Sequence, residues 1–474
     1  MNPTPNLIAE IALFAWIPIA LLFFRFLRPA AAVAAALLGS ILLLPANVGV
    51  HFPGIPTLDR HVSGGVAALI GYIFLVPRTA KGPRRLGWDT VVIGVLVFST
   101  FLSAITNPDP LVYGILRLPG LTPYDSLGLM FLRFVAVGLP FYMATRLVRG
   151  TDDLVAVLKV VVGFGLAYVP LVLWEARMSP QLHATLYGYF PHDFQEHVRG
   201  GRYRPVVFTG SGLECATFLA AAVLASVGLH RARAKVLGIP TAVTSLALFV
   251  ALVACVSLAP FLYGAGFGLL MLVTNERIQA QVAIALAVVV VFYPLLRSQD
   301  LFPTSAFVSA AEVVSGDRAN SLAFRFDNED QLLAKAAERP LFGWGSWSRN
   351  HVFDRETGDD ISVTDGFWII ELGQFGLTGF LSFFGLLLTP AVLVARKMKR
   401  MPAGPSRALV ACAMLMVIVR AVDLIPNGFL SAITLYFSGM LMPFARPAGK
   451  RTAARIVAAR RAEPAPPLVP IEQR

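Results

Sequence analysis

A succession of apolar runs, each close to the length of a membrane-spanning helix, dominates this sequence. A helix needs about 20 mostly apolar residues to cross the hydrocarbon core of a bilayer. About thirteen such runs follow one another, at residues 7–24, 29–46, 62–77, 89–105, 127–145, 154–174, 206–229, 237–256, 259–274, 280–296, 366–394, 407–424 and 427–445. The pattern predicts an all-α, polytopic integral membrane protein with about thirteen transmembrane helices.

The composition excludes a soluble domain. Of the 474 residues, 56% are hydrophobic and only 14% are charged, and the mean hydropathy is +0.68, whereas soluble domains carry about 25% charged residues. The net charge of +12 comes from small basic clusters between apolar runs. That placement is typical of membrane topology signals and argues against nucleic-acid binding. All three cysteines lie inside apolar runs, which excludes a disulfide framework.

The basic clusters also predict an orientation, because Lys and Arg are retained at the cytoplasmic ends of helices. They occur in alternate connections, which places the N-terminus outside and the C-terminus inside. We predict a single transmembrane domain over 1–445. Its extracytoplasmic loops are 175–205 and 297–365, the larger of which comes before the last three helices. A disordered basic cytoplasmic tail is expected at 446–474.

A short amphipathic helix is predicted inside the larger loop. Residues 328–331 (Asn-Glu-Asp-Gln) resemble a capping box, an apolar stripe follows, and Arg339-Pro340 ends the run. We expect this helix to lie against the outer face of the membrane.

Six ionisable residues lie in the outer parts of the predicted spans, where each needs a partner or a polar cavity. Together they indicate a polar cavity that opens outward, although each one alone is also compatible with anchoring at the membrane interface. They are Glu10, Arg133, Glu214, Glu371, Arg420 and Asp423.

An arginine-rich segment precedes the seventh span. Arg199, Arg202 and Arg204 place three guanidinium groups at the membrane surface, and a guanidinium group binds two phosphate oxygens at once. The alternative is that they only contact lipid headgroups. An outside cluster of this kind runs against the topology rule, which favours a functional role.

Two glycine-containing motifs surround the eleventh span. In Arg339–Gly345 (Arg-Pro-Leu-Phe-Gly-Trp-Gly), glycines beside an aromatic ring predict a tight turn that approaches a ligand. Asp365 stands at the mouth of the span, as a helix cap or a chemical group, and Glu371 lies deeper. The glycines at 373, 376 and 379 predict close packing of a neighbouring helix.

These motifs, from about Arg199 to Gly379, resemble the O-antigen ligase and Wzy-type polysaccharide polymerase superfamily. The resemblance rests on Pro-Leu-Phe-Gly-Trp-Gly345, Glu371 before a Gly-Leu-x-Gly run, and the outside arginine segment. It implies a membrane glycosyltransferase of the bacterial inner membrane that uses a polyprenyl-diphosphate-linked glycan and needs no metal ion or cofactor. Its implied partners are that glycan, membrane lipids and other polysaccharide export proteins.

The sequence departs from this family at two places. Ligases typically carry His-Asn where this chain has Asp365-Gly366, which favours polymerisation over ligation to lipid A. The family's frequent Ser-Arg pair near the eighth span is missing, because Ser257 to Gly268 holds no arginine.

A mechanism follows from these residues. Arg202, Arg204 and Arg325, with Arg199 and Arg133 behind them, are predicted to bind the diphosphate as its charge develops. Asp365 or Glu371 is predicted to accept the proton of the attacking hydroxyl, and Trp344, Trp347 and Trp368 to stack on sugars. The alternatives are a ligase of the same superfamily and a flippase or transporter for lipid-linked oligosaccharides. Only Lys159 is charged in the inner halves of the spans, which argues against a flippase.

Overall fold

A computed structural model describes residues 4–52, 55–82 and 87–446, so the predicted tail lies outside the described residues except for Arg446. The described residues are mostly helical. Their helices are α1 Leu7–Phe26, α2 Pro29–Leu43, α3 Arg60–Leu75, α4 Trp88–Ile105, α5 Pro123–Leu147, α6 Thr151–Met178, α7 Leu182–Tyr187, α8 Gly212–Arg231, α9 Thr241–Ala254, α10 Leu258–Val273, α11 Glu276–Ser298, α12 Thr304–Val314, α13 Gly316–Ala337, α14 Phe367–Lys397, α15 Pro405–Asp423 and α16 Ala432–Ala445.

Eight helices in this part of the chain are long and apolar enough to cross a membrane: α1, α4, α5, α6, α8, α11, α14 and α15. They coincide with eight of the predicted spans, so the chain has the composition and helix lengths of a multi-pass membrane protein. Five shorter apolar helices, α2, α3, α9, α10 and α16, occupy the positions of the others. Helix α8 is central, since 83% of its apolar window is buried, against 22% for α1.

Helix starts follow the local sequence. The side chains of Asn6, Asp59, Ser211 and Asn275 accept backbone N–H bonds in the first turns of α1, α3, α8 and α11. These bonds satisfy donors that have no partner within the helix. Four antiparallel hairpins connect helices: β1 Gly49–Phe52 with β2 Ile55–Asp59, β3 Leu111–Tyr113 with β4 Leu116–Leu118, β5 Val198–Arg199 with β6 Arg202–Tyr203, and β7 Lys235–Val236 with β8 Ile239–Pro240.

The connecting segments fall into two sets, and segments of the same set contact one another. In one set, His183 Nε2 accepts a bond from the Ala46 N–H at 3.2 Å, and Arg349 donates to the Pro119 carbonyl at 2.7 Å. In the other set, Arg146 donates to the Gly82 carbonyl at 2.7 Å.

The second set is joined by ion pairs between helix ends. Glu276, at the start of α11, lies 2.6 Å from both Arg231 of α8 and Arg407 of α15. Arg446 pairs with Asp89 of α4 at 2.8 Å. These contacts join the ends of α8, α11 and α15, and they fasten the residue after α16 to the start of α4.

Helix α14 is interrupted at Gly376, whose φ of 63° is left-handed. The segment Pro340–Gly345 lies across this break. The N–H groups of Trp344 and Gly345 donate to Gly373 and Gln374 at 2.8 Å, and the N–H of Leu377 donates to Pro340 at 2.8 Å. The backbone groups that the break leaves without helical partners are therefore satisfied by an extended segment.

The glycine motifs thus serve a different purpose from the one predicted. A Cβ atom on Gly343 would lie 2.5 Å from the carbonyl carbon of Gln374, and one on Gly376 would lie 2.5 Å from that of Leu341. The two glycines allow two backbones to touch each other. At Gly376 the close neighbour is the segment Pro340–Gly345, not the neighbouring helix that the sequence predicted.

The predicted helix in the larger loop is longer than expected. Helix α13 begins at Gly316, not at residue 328, and ends at Ala337 as the sequence predicted. Asn328 lies inside it, and its side chain accepts a bond from the Val363 N–H at 2.7 Å. Glu329 is buried and bonds to Tyr293 of α11 at 2.9 Å and to Trp368 of α14 at 3.2 Å. The apparent capping box instead fastens α13 to two neighbouring helices.

We expect Gly376→Ala to destabilise the protein strongly, because the new methyl group meets backbone and the residue must keep a left-handed φ. The matched control is Gly385→Ala on the same helix, where a Cβ meets nothing within 4 Å. Thermal unfolding in detergent should show a loss of at least 2 kcal/mol for Gly376→Ala, on the scale of known backbone clashes, and no loss for Gly385→Ala. Equal stability of the two variants would contradict the backbone contact.

Candidate functional site

A polar cavity of about 390 Å³ lies where the loop after α7 meets α8, α10, α13 and α14. We call it the arginine cavity. It collects charged and titratable side chains from distant parts of the chain, namely His192, Glu196, His197, Arg199, Arg204, Arg318, Arg325 and Asp365. Three of the five predicted diphosphate-binding arginines and one of the two predicted catalytic carboxylates are among them.

The backbone around Arg204 is fixed by two buried side chains. Glu175, at the end of α6, accepts bonds from the N–H groups of Val206 and Val207 at 2.8 and 2.7 Å. His197 Nε2 accepts the Gly212 N–H at 3.2 Å, while its carbonyl accepts the Arg204 N–H at 2.9 Å. Burial lowers the pKa of His197, so the ring is neutral at neutral pH and can accept this bond.

Arg204 is a buried cation that carries no counter-ion. It is 6% exposed, and its Nε donates to the neutral hydroxyl of Ser257 at 2.9 Å. No carboxylate among the described residues forms an ion pair with it. Burial lowers the pKa of Arg204 to about 10, and the nearby charge of Arg199 adds to this effect. The residue therefore remains charged at neutral pH, and its charge is available to an anion in the cavity.

Asp365 faces the same cavity and pairs with Arg325. Its Oδ2 lies 3.3 Å from Arg325 Nε, and both side chains are about one-third exposed. Arg325 also donates to the carbonyl of Pro426 at 3.2 Å. Helix α14 begins at Phe367 without a side-chain cap, since the Phe367 N–H donates to Leu424 and Asn427. The alternative that Asp365 serves only as a helix cap is therefore wrong.

The charge of the cavity favours an anion. Four guanidinium groups and two carboxylates line it, which gives a formal charge of +2 when both imidazoles are neutral. A partly enclosed, low-dielectric site strengthens such a field compared with bulk water. The cavity is suited to a ligand with about two negative charges, such as a diphosphate diester, and guanidinium groups bind its oxygens in pairs.

Arg202 does not line the cavity, although it is two residues from Arg204. The turn between β5 and β6 is Gly200-Gly201, with φ values of 56° and 72°. Left-handed φ at both central residues is typical of a tight type I′ hairpin. Arg202 is exposed on this hairpin and does not line the cavity.

Arg133 and Glu371 pair with each other inside the helix bundle. Their side chains form two bonds, of 2.5 and 3.1 Å, and Arg133 also donates to the Leu96 carbonyl and covers the Phe375 ring. Both residues are buried and neither lines the arginine cavity. In this structure Glu371 neutralises Arg133, so the predicted roles of a base and a diphosphate ligand do not agree with their positions.

The other ionisable residues of the predicted spans are also mostly paired. Glu214 bonds to Arg60 at 3.0 Å, and Arg420 pairs with Asp423, while Glu10 is exposed. Of the six groups predicted to line one outward cavity, five form ion pairs, two of these pairs between helices and one within α15. Glu214 and Arg420 also line a common cavity. Arg60 was missed because it stands at the end of a predicted loop.

The three predicted glycan-contacting tryptophans lie in different surroundings. Trp368 is fully buried and bonded to Glu329, and Trp344 is buried with its Nε1 donating to the Lys335 carbonyl at 2.8 Å. The prediction that these two rings stack on sugars disagrees with their burial. Trp347 is exposed and lines a separate cavity.

Sequence reasoning missed four residues that line the cavity: His192, Glu196, His197 and Arg318. Arg318 and Arg325 are seven residues apart on α13, which places them on the same helix face. The seven-residue spacing of the two arginines is visible in the sequence, but the helix was predicted to begin after both residues. The histidines gave no signal, because a single histidine in a loop has no informative spacing.

No protein-family model matches the chain, and no curated protein sequence matches it.

The buried Arg133–Glu371 pair yields a stability prediction. Glu371→Leu leaves Arg133 buried without a partner, which should cost about 3–5 kcal/mol. The double variant Arg133→Met with Glu371→Leu should recover most of this loss, because apolar side chains of similar volume replace buried pairs well. Unfolding in detergent of the two single variants and the double variant measures the coupling. A stable Glu371→Leu protein without activity would instead support a chemical role for Glu371.

Proposed function

We propose that this chain is a multi-pass membrane glycosyltransferase that polymerises a polysaccharide at the outer face of the bacterial inner membrane. It transfers a glycan from a polyprenyl diphosphate to a sugar hydroxyl of an acceptor glycan. The observation that carries this proposal is Arg204, a buried cation that forms no ion pair with any described residue, in a cavity with three more arginines and two carboxylates. The resemblance of the motifs to the ligase and polymerase superfamily agrees with it.

The leaving group explains the arginines. As the bond between the anomeric carbon and the diphosphate oxygen breaks, negative charge develops on that oxygen. Cations that are already in place stabilise this charge more than the ground state and so lower the barrier. Arg204 is the most buried of them, and Arg199, Arg318 and Arg325 line the same cavity. The polyprenyl diphosphate leaves with the bonding electrons.

The acceptor needs a group that takes its proton. The hydroxyl oxygen forms the new bond to the anomeric carbon, and direct attack inverts that centre. Asp365 lies in the cavity, and the guanidinium of Arg325 holds one of its carboxylate oxygens. A diphosphate that binds Arg325 would weaken this ion pair and free Asp365 to accept the proton. Donor binding would thereby prepare the base.

Polymerisation is favoured over ligation by Asp365-Gly366, which stands where ligases of the superfamily carry His-Asn.

A flippase would also need an anion site, but it requires access from both faces. The arginine cavity is built from segments of one connecting set, which supports chemistry on one face. In a deletion strain, lipid-linked single repeats accumulating outside indicate a polymerase, and accumulation inside indicates a flippase.

The proposal includes thirteen membrane spans, with the large loop between α11 and α14 outside. The contacts that join the connecting segments within two separate sets support this count, as do the thirteen apolar helices of the described residues. Five of the helices are shorter than 18 residues, and interior helices packed against longer ones can cross by local thinning or flanking polar residues.

Cysteine labelling tests this topology. The wild-type cysteines are all buried, so they give a low background. In separate variants, a membrane-impermeant maleimide added to intact spheroplasts should label Asn2→Cys but not Ala453→Cys. Permeabilised cells should show both. Labelling of both positions from the same side contradicts thirteen spans.

The arginine cavity is tested by comparing two lysine substitutions. Arg204→Lys keeps the charge but loses the paired contact to phosphate, so we expect polymer synthesis to fall by about tenfold or more. Arg202→Lys is the matched control, because Arg202 is exposed outside the cavity, and we expect at most about a twofold change. Surface polysaccharide is measured in a deletion strain complemented with each variant at equal protein level.

The opposite result would move the site. A loss in Arg202→Lys with normal synthesis in Arg204→Lys would place the anion at the hairpin surface and not in the cavity. Normal synthesis in both variants would indicate that the arginines only contact lipid headgroups.

A further inference from the structure

A second cavity, of about 650 Å³, lies apart from the arginine cavity and shares no lining residue with it. We call it the tryptophan cavity. It is formed by the first part of α5, by strand β2, and by the segment that follows Gly345. Its lining includes the aromatic rings of Tyr124 and Trp347 and the polar side chains of Thr57, Asp125 and Ser346.

The two aromatic side chains are unusually accessible. Tyr124 is 69% exposed and Trp347 is 63% exposed. Asp125 uses Oδ2 to accept bonds from Thr122. In the described part of the chain, its Oδ1 accepts no hydrogen bond. The Thr57 hydroxyl bonds to His51 at 2.8 Å. The cavity therefore combines open ring faces with a free carboxylate oxygen and the hydroxyl of Ser346, the composition expected of a binding pocket with a few polar groups.

The backbone at Trp347 is strained. Trp347 and Ser348 have φ values of 61° and 57°, a left-handed conformation that costs of order 1–3 kcal/mol for each residue other than glycine. Such strain persists only where the surroundings enforce it. Packing of the Trp347 ring does not offset it, because that ring is mostly exposed.

Rigid contacts on both sides enforce this conformation. Before Trp347, the Gly345 N–H donates to the broken helix α14 at 2.8 Å. After it, the fully buried Arg349 donates to the carbonyls of Trp344, Pro119 and Asp109 at 3.3, 2.7 and 2.9 Å. The chain thus holds an exposed indole on a fixed support, which is the arrangement that binds a rigid ligand with little loss of entropy.

We infer that the tryptophan cavity binds sugar residues of the glycan at a distance from the bond that reacts. The inference rests on the proposed function. A pyranose offers an apolar C–H face to an aromatic ring and hydroxyl groups to carboxylate and hydroxyl partners. The volume of one pyranose ring is well below the volume of the tryptophan cavity. Binding here keeps the growing chain on the enzyme between transfers, so the site controls polymer length more than the rate of a single transfer.

The test uses Trp347→Ala. Alanine pays a similar energy cost for a left-handed φ, so this substitution changes only the contribution of the indole ring. Trp174→Ala is the matched control. Trp174 is a partly exposed tryptophan of α6 that lines neither cavity. Trp347→Tyr retains an aromatic face and should rescue much of the effect. The readouts are the length distribution of surface polysaccharide and binding to the purified protein in detergent.

The binding probe is the repeat-unit oligosaccharide released by mild acid from the lipid-linked pool of the deletion strain. We expect Trp347→Ala to weaken its binding by about threefold to tenfold, the scale of one aromatic contact. Polymers should become shorter, while the product of a single transfer still forms. Trp174→Ala should change neither readout.

If Trp347→Ala changes neither oligosaccharide binding nor polymer length, the proposed sugar site is wrong. Equal effects in Trp174→Ala would indicate that Trp347 acts only as a membrane anchor. The two proposals fail separately. If Arg204→Lys leaves synthesis intact, the proposed reaction site is wrong, whereas loss of oligosaccharide binding in Trp347→Ala would still support the sugar site.

Discussion

The contact between Pro340–Gly345 and the break in α14 is the constraint on which the site depends. A helix that is interrupted in apolar surroundings leaves backbone donors and acceptors without partners, and each costs several kcal/mol in lipid. The extended segment supplies them at Gly373, Gln374 and Leu377. The same contact fixes the end of α13, which lines the arginine cavity, and the start of the segment that holds Trp347, which lines the tryptophan cavity. Both cavities therefore depend on this one backbone contact.

Charge pairing separates structural residues from functional ones. A charge inside the bundle is tolerated when an opposite charge neutralises it, and Arg60, Arg133 and Arg420 each have such a partner. Arg204 is equally buried but has only the hydroxyl of Ser257. This difference is the reason we propose that an anion from outside the protein binds in the arginine cavity.

Part of the site was predictable, and the reasons for the failures are physical. Arginines suited to phosphate and an acid at the start of α14 follow from residue types that suit the chemistry, so Arg199, Arg204 and Asp365 were predicted, and the structure places all three in one cavity. Arg202 was predicted with equal strength, but a two-residue turn at Gly200 exposes it. Glu371 and Trp368 were chosen for their chemistry and excluded by burial, which depends on neighbours distant in sequence.

The sequence by itself determined the helices, because hydrocarbon requires long apolar runs with internal backbone bonds and composition records that requirement locally. All thirteen predicted runs coincide with apolar helices in the structure. Tertiary structure alone decided which charges are neutralised and which remain free. Arg133 meets Glu371 across 238 positions, and α13 carries Arg318 and Arg325 to the loop that holds Arg204. Such encounters are long-range packing events, and no local pattern encodes them.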